Sequence, residues 1–313
     1  MNTLMSTVST FFSLIILLFL SCDLDKTPLS PYSIFSENTD YNVPYENKIL
    51  FTSTRNMNNT TGLRIFLMNE DGSDIQNIIN DGYSFSATWS SNKWKILYTS
   101  FRDRNENSIL YQVDYTGKNR RQISLSAEDV AYGKMSPTGN MIAYIVQKPH
   151  VGSRIKLVSK VNPDGRFLTD WMVALYRFSW SPDSRYLYFS AAFYSYDKIY
   201  SLNVETSELK QVFDFPEHAI FYDLSKSGTK ILFSGINTFN VYDMNTKQIT
   251  LILQSDSEHL HFSPNWSPNE EYIVFERREL GAYALGNLFR INSDGSNMVQ
   301  LTDNVGNDYA PNW

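Results

Sequence analysis

The chain has 313 residues, with 27 Lys and Arg against 33 Asp and Glu for a formal net charge of −6, and it is 42% hydrophobic and 15% aromatic. That composition supports a large buried core and excludes a disordered chain. Mild acidity with no basic run excludes a nucleic-acid surface, which needs clustered Lys and Arg to displace counterions. Arg120-Arg121 and Arg277-Arg278 are isolated pairs of the sort that sit at solvated hairpin ends.

At the N-terminus an apolar run from Phe11 to Leu20 is too short to span a bilayer as a helix and matches a signal-peptide core. Phe19-Leu20-Ser21-Cys22 resembles a bacterial lipobox: bulky apolar, apolar, small, then the cysteine that takes the lipid. Cys22 is the one cysteine, so no intramolecular disulfide can form, and lipidation gives that thiol a use in an exported protein. Residues 1–21 are therefore expected to be a lipoprotein signal peptide. Cys22 is expected to anchor the chain to a bacterial membrane, facing the periplasm or the cell surface. Residues 22–41, with two prolines among Asp23–Tyr32 and no sustained apolar period, read as a flexible tether of about 60 Å when extended.

From residue 42 onward one pattern recurs. Trp180-Ser181-Pro182-Asp183 leads into Leu187-Tyr188-Phe189, and Trp266-Ser267-Pro268-Asn269 leads into Ile273-Val274-Phe275. Copies begin also at Trp89, Met135 and Leu224, so the anchors stand 46, 45, 44 and 42 residues apart. A period in the forties with several short strands per turn predicts a β-propeller. The chain stops at Trp313, one more anchor, with no strands after it. The missing strands stand at the other end, where Ile49 follows Asn42 by seven residues as Ile96 follows Trp89. The fold class is thus all-β: a six-bladed propeller over residues 42–313. Its last blade takes the innermost strand from near Trp313 and three strands from residues 47–79, which leaves no open seam.

Within a blade, the second strand carries an aliphatic-x-aromatic pair in all six copies: Ile49/Phe51, Ile96/Tyr98, Ile142/Tyr144, Leu187/Phe189, Ile231/Phe233 and Ile273/Phe275. Alternate side chains share a face, so these pairs predict the layer that packs blade on blade. Fourth strands are expected at Ile78-Ile79, Ile123, Leu168-Thr169, Val212-Phe213, Leu251-Ile252 and Leu301-Thr302. Acidic, glycine-bearing runs such as Asn69–Ser73, Asp114–Lys118, Asn162–Gly165 and Asn292–Ser296 lack the distal Glu of a calcium loop and read as hairpin turns.

The repeat Trp-Ser-Pro-Asp-x-x-x-Leu-x-Phe-Ser, then Ile-Tyr-x-Leu-Asn, closed by Gln-Leu-Thr, is carried best by Trp180–Asn203 and Leu288–Thr302. It resembles the propeller repeat of TolB and its relatives across residues 42–313. TolB proper places an α/β domain before the propeller, where residues 22–41 leave room for a tether, so a lipoprotein form without that domain is expected. The resemblance implies a scaffold for protein contacts in the envelope, with a partner of the peptidoglycan-associated lipoprotein kind.

No nucleophile elbow occurs, and an α/β-hydrolase domain would need about 250 residues more than remain, so no catalytic residue, metal or cofactor is assigned. His218, His259 and His261 lie in connections from an outer strand to the next inner strand, which line one mouth of a propeller. Asp308, Tyr309, Asp81 and Glu217 fall in equivalent places. The candidate partner-binding funnel is therefore His218, His259, His261, Asp308 and Tyr309. Tyr83, Phe85, Tyr132 and Phe221 fit either that binding face or inner-strand packing. A monomer without nucleic acid is expected. The rival expectation is a metal-dependent polysaccharide lyase-like enzyme or carbohydrate-binding propeller that uses the funnel histidines, since a zinc- or manganese-type site needs three or four convergent ligands.

Overall fold

The computed structural model describes residues 35, 47–55, 62–101, 107–173, 175–192, 197–213, 219–235, 237–281, 285–303 and 306–313. Cys22, the signal peptide and the tether apart from Phe35, with Glu217 and His218, lie outside the described residues. The strands all belong to the unit Glu37–Trp313.

They form six antiparallel sheets of four. The closing blade pairs β1 (Lys48–Ser53), β2 (Arg64–Asn69) and β3 (Gln76–Ile79) with β24 (Asp308–Asn312). The second blade is β4 (Ser84–Trp89), β5 (Lys95–Ser100), β6 (Ile109–Asp114) and β7 (Arg121–Gln122). The third is β8 (Asp129–Met135), β9 (Met141–Lys148), β10 (Gly152–Ser159) and β11 (Arg166–Phe167). The fourth is β12 (Phe178–Trp180), β13 (Tyr186–Ala192), β14 (Asp197–Asn203) and β15 (Leu209–Gln211). The fifth is β16 (Ile220–Leu224), β17 (Lys230–Gly235), β18 (Thr238–Asp243) and β19 (Ile249–Gln254). The sixth is β20 (His259–Trp266), β21 (Tyr272–Glu279), β22 (Gly286–Asn292) and β23 (Val299–Gln300). The chain is a six-bladed propeller. Its seam is closed as the two chain ends predict, with Leu50 opposite Asn312 and Ser53 opposite Asp308.

The anchor turns explain why the motif recurs. The serine after each anchor accepts a hydrogen bond from the backbone N–H five residues on, in five blades. The pairs are Lys95 to Ser90 (3.0 Å), Met141 to Ser136 (3.1 Å), Tyr186 to Ser181 (2.8 Å), Lys230 to Ser225 (3.1 Å) and Tyr272 to Ser267 (2.9 Å). Four residues after the anchor the backbone turns left-handed at Lys93, Gly139, Ser184, Gly228 and Glu270. Where that residue is not glycine, the side chain before it closes the turn: Asn92, Asp183 and Asn269 Oδ1 accept from the N–H groups of Trp94, Arg185 and Glu271. The next strand then starts in a fixed register, and all twelve aliphatic and aromatic side chains of the predicted layer are at most 1% exposed. Burial of that many large side chains is the main stabilising contribution, at roughly 1.5–3 kcal/mol each.

In four blades the outer strand ends before the expected residues: β7 at Gln122, β11 at Phe167, β15 at Gln211 and β23 at Gln300. Ile123, Leu168, Val212 and Leu301 each still donate a backbone hydrogen bond inward, to Leu110, Ile155, Ile199 and Leu288 at 2.8–2.9 Å. In three of these blades the next hydroxyl then stands in for a backbone acceptor: Ser124, Thr169 and Thr302 accept from the N–H groups of Leu110, Ile155 and Leu288 at 3.1, 3.0 and 2.9 Å.

The glycine-bearing loops are hairpins whose aspartates cap them, as Asp114 does for the N–H groups of Thr116 (3.0 Å) and Lys118 (2.9 Å). Three of them, at Gly72, Gly117 and Gly295, also seat a blade on its predecessor. Gly117 has φ +79°, and a Cβ there would stand 2.1 Å from the Ile78 carbonyl oxygen in the closing blade. Gly117→Ala combines left-handed strain with that clash, and a loss of about 2–4 kcal/mol in urea unfolding is expected. A loss below about 1 kcal/mol would mean the hairpin seat yields freely.

Candidate binding face and channel

In this meander every anchor turn and every glycine-bearing hairpin lies on one face, the lower. The hairpins between second and third strands, and the connections into the next inner strand, lie on the other, the upper. The two faces differ. Among the described residues, the exposed large apolar side chains in the turns and hairpins of the lower face are Ile75, Val161 and Met298, with Tyr186, Ile249 and Val299 at the lower ends of strands. The upper face exposes Tyr83, Phe101, Leu125, Val173, Tyr176 and Leu280, with Val151 and Leu285 besides. Exposed apolar side chains gathered on one face are the kind of surface that interaction sites use.

Inside, the residue before each anchor is polar in all six blades: Thr88, Lys134, Ser179, Asp223, Asn265 and Asn312. These residues link every blade to the next. Thr88 Oγ1 donates to the Gly133 carbonyl (2.7 Å), and Lys134 Nζ donates to Ser179 Oγ (3.3 Å). Ser179 Oγ donates to Asp223 Oδ1 (2.6 Å). Asp223 Oδ2 accepts from Asn265 Nδ2 (2.8 Å) and the Trp266 N–H (3.1 Å). Asn265 Oδ1 accepts from the Trp313 N–H (2.7 Å), and Asn312 Oδ1 from the Trp89 N–H (3.1 Å). The circuit runs once around the axis and passes through the seam. Lys134 sits 3.6 Å from Asp223 Oδ1. Burial pushes its ammonium down, the Asp223 charge more than offsets this, and the net shift is upward.

Above the ring lies a second polar layer. The Arg177 guanidinium stacks 5.4 Å from the Tyr222 ring and reaches Ser263 Oγ at 3.5 Å, so it crosses from the fourth blade to the sixth. Glu276, 2% exposed, pairs with Arg278, and burial raises its carboxyl against the pull of Arg278 and Arg177. Tyr309 lies beside this group, and its hydroxyl is pushed up to about 12, by burial first and the Glu276 charge second. Left-handed residues at Ser86, Ser263 and Ala310, each three before its anchor, mark bulges in the inner strands. Such bulges re-aim side chains beside a site.

The structure divides the sequence candidates. Tyr309 joins the channel layer. Asp308 is fully buried at the seam, where it accepts from Arg55 Nη2 at 2.7 Å. His259 is held by Asp256 through Nδ1 at 2.8 Å, at the upper end of β20. His261 points between blades, with ring centroids of Phe239 and Phe275 at 6.0 and 5.4 Å and Nδ1 at 2.9 Å from Ser255 Oγ. Asp81 caps its own connection through Tyr83 N–H and Ser84 Oγ. Tyr132 and Phe221 are buried and belong to packing, whereas Tyr83 is exposed and Phe85 stacks on Phe101 at 5.0 Å. Among the described residues no three His, Cys, Asp or Glu side chains gather as metal ligands. Arg177, Lys134 and Glu276 escaped the sequence reading. Position relative to the anchor would have found Lys134; nothing local marks the other two.

Burial chiefly, and then the nearby Arg277, lower His261 to about 4. A histidine held below its unfolded value near 6.5 contributes stability that is present above that pH and is lost as pH falls toward 4. His261→Phe should therefore flatten the difference in unfolding free energy between pH 6.5 and 4 relative to the parent chain. Parallel acid limbs would show that His261 titrates alike in the folded and unfolded states.

Six four-stranded blades around a polar circuit define the chain as a closed β-propeller. The family model for the TolB β-propeller domain matches residues 39–313, and the chain belongs to that family. Among solved structures it is similar to TolB from Acinetobacter baumannii, at 19% identity and TM-score 0.73, covering 86% of this chain and 67% of that one. It is similar also to a putative TolB from Agrobacterium tumefaciens, at 16% identity and TM-score 0.63, covering 84% and 96%. An oligogalacturonate lyase from Vibrio parahaemolyticus shares the fold at 10% identity and TM-score 0.53, covering 76% and 71%.

Proposed function

We propose that the chain is an exported lipoprotein, anchored through Cys22, whose propeller is a non-catalytic protein-binding module with the upper face as its contact surface. The observation that carries this reading is the uneven distribution of exposed apolar side chains in the loops, eight in the connections and hairpins of the upper face against three in those of the lower among the described residues. Tyr83, Phe101 and Tyr176 are the aromatic type that anchors interfaces, and a rigid ring presents them with little ordering entropy to lose. The channel beneath offers charges of both signs that can fix the orientation of a partner. An envelope protein of the peptidoglycan-associated lipoprotein kind is the partner that membership of this family favours.

The test is affinity capture from detergent-solubilised envelopes with the tagged full-length chain. A defined envelope protein should be recovered, and Tyr176→Asp with Leu280→Asp should cut its recovery about tenfold or more, as expected for lost anchor residues. Val161→Asp on the lower face should leave it unchanged. Equal recovery by both variants, or recovery of no protein, would overturn the assignment of the upper face. Metabolic labelling with palmitate should mark the parent chain and not Cys22→Ser.

A further inference from the structure

We propose that residues 37–46 of this chain dock on the lower end of the second blade, an acidic segment on a basic and aromatic surface. This rests on none of the upper-face argument.

The point of entry sets the choice. Lys48, the first residue of β1, stands opposite Asn69, where the lower-face hairpin of the closing blade begins. Residue 47 is therefore at the lower end of that blade. The chain before it cannot serve as the inner strand, because β24 already holds the place beside β1. Two neighbours flank this point. The closing blade seats on the sixth, where Gly72 meets the Leu301 carbonyl, and the second seats on the closing blade, where Gly117 meets the Ile78 carbonyl.

Charge separates the two sides. Among the described residues, the exposed charges at the lower end of the closing and sixth blades are Asp71, Asp74, Glu271 and Asp294, all negative. The cations there are half-buried and engaged. Lys48 pairs with Asp74 at 2.8 Å, and Arg290 reaches the Glu70 carbonyl at 3.3 Å and stacks 4.2 Å from the Tyr272 ring. The second blade reverses the sign. Its exposed charges at this end are Lys118 and Arg120, with Lys93, Lys95 and Arg121 half-buried beside them. Its one acid, Asp114, is turned into its own hairpin, where Oδ1 accepts from the Thr116 and Lys118 N–H groups and Oδ2 from Asn119 Nδ2. The sequence scatters these cations over two segments, and the hairpin brings them together.

The occupant matches. Residues 37–46 read Glu-Asn-Thr-Asp-Tyr-Asn-Val-Pro-Tyr-Glu, with three acids, no cation and two tyrosines. Such a segment is repelled by the closing and sixth blades and drawn to the second. The surface there is also aromatic. Trp94 meets Tyr115 edge-on at 5.1 Å, and Arg120 lies 4.6 Å from the Tyr111 ring, so Tyr41 and Tyr45 find rings and cations to pack on. Ten extended residues reach about 33 Å, and a four-stranded blade is about 15 Å across, so the segment spans it with slack. Covalent attachment raises the effective concentration, which lets a few exposed ion pairs of small individual strength suffice. Pro44 restricts the segment beforehand and lowers the cost of ordering it. A segment held on the lower face leaves the upper face clear.

The test uses the purified full-length chain in detergent, with a photoreactive phenylalanine analogue in place of Tyr41. Irradiation should join position 41 to residues 93–95 or 114–121 of the same chain, read by mass spectrometry of the digest. Lys118→Glu with Arg120→Glu should cut that product about fivefold or more, and adding Glu37→Lys with Asp40→Lys should restore it. Both substituted side chains of the second blade are exposed, so urea unfolding should stay near that of the parent. Raising salt from about 0.05 M to about 0.5 M should weaken the product, since exposed charges are screened. A product on the closing or sixth blade, a product that runs as a dimer, or no loss on charge reversal would each overturn the proposal. So would a phospholipid adduct in place of the second-blade peptide in vesicles of phosphatidylethanolamine and phosphatidylglycerol, which would assign the basic surface to lipid headgroups. Envelope capture and palmitate labelling read the upper face and Cys22 separately from all of these outcomes.

Discussion

Asp223→Ala should lose about 3–5 kcal/mol in urea unfolding, the penalty for removing one partner of a buried, hydrogen-bonded ion pair. Asp223 is 5% exposed and its two oxygens serve three blades. Oδ1 takes the Ser179 hydroxyl and faces Lys134; Oδ2 takes the Asn265 amide and the Trp266 N–H. Without the carboxylate two donors of the sixth blade lose their acceptor, each at about 1–3 kcal/mol, and the Lys134 ammonium keeps its desolvation without its counter-ion. Asp223→Asn keeps the shape but turns an NH2 group toward donors, so it should recover less than half of the loss. The pH dependence supplies a second check. The net upward shift of Lys134 above 10.5 means its contribution is complete below that pH and disappears as pH rises through the raised folded value. The parent chain should lose stability above pH 10.5 more steeply than Lys134→Met. A loss under about 1 kcal/mol for Asp223→Ala would show that the circuit is replaceable by water.

Much of this architecture was legible because the repeat writes one physical requirement five or six times. The serine after the anchor and the left-handed residue at anchor plus four are local demands of one turn, so they survive in the sequence as Ser181 and Ser184 or as Ser267 and Glu270. The aliphatic-aromatic layer was legible for the same reason: period-two burial needs only the strand itself. The seam was legible from arithmetic on both ends. The channel was not. Arg177 reaches Ser263 across 86 positions of sequence, and Glu276 stands in a strand whose neighbours read as core. His261 was misleading for a related reason. A histidine in an inter-blade connection reads as a funnel residue, yet the start of β20 turns this one between Phe239 and Phe275. Which way an inner-strand side chain faces depends on bulges such as that at Ser263, and a bulge moves the alternation by one without a reliable local signal.

Arg55→Ala is the corresponding experiment on the seam, and it should loosen β24 before it unfolds the ring. Asp308 is fully buried, and Arg55 supplies its counter-ion at 2.7 Å while lying 5.2 and 5.0 Å from the Phe51 and Phe66 ring centroids. Truncation of Arg55 leaves a buried carboxylate without that charge and strips a cation from two aromatic faces, about 3–5 kcal/mol together. The loss falls where the ladder is weakest, since β24 meets β1 across a register shift between Leu50 and Thr52. Other contacts on the strand are Thr54 with Asn307, the Trp313 N–H on Asn265, and the Trp313 ring stacked 6.2 Å from Tyr272. Amide exchange of residues 308–312 should therefore accelerate more than exchange in β13 or β21, because the seam opens as a local unit. The double variant Arg55→Met with Asp308→Leu removes both charges and should recover most of the loss. Uniform acceleration across all blades would mean that the seam has no separate opening. A double variant as unstable as Arg55→Ala would mean that packing around β1, and not the buried charge, holds the ring shut.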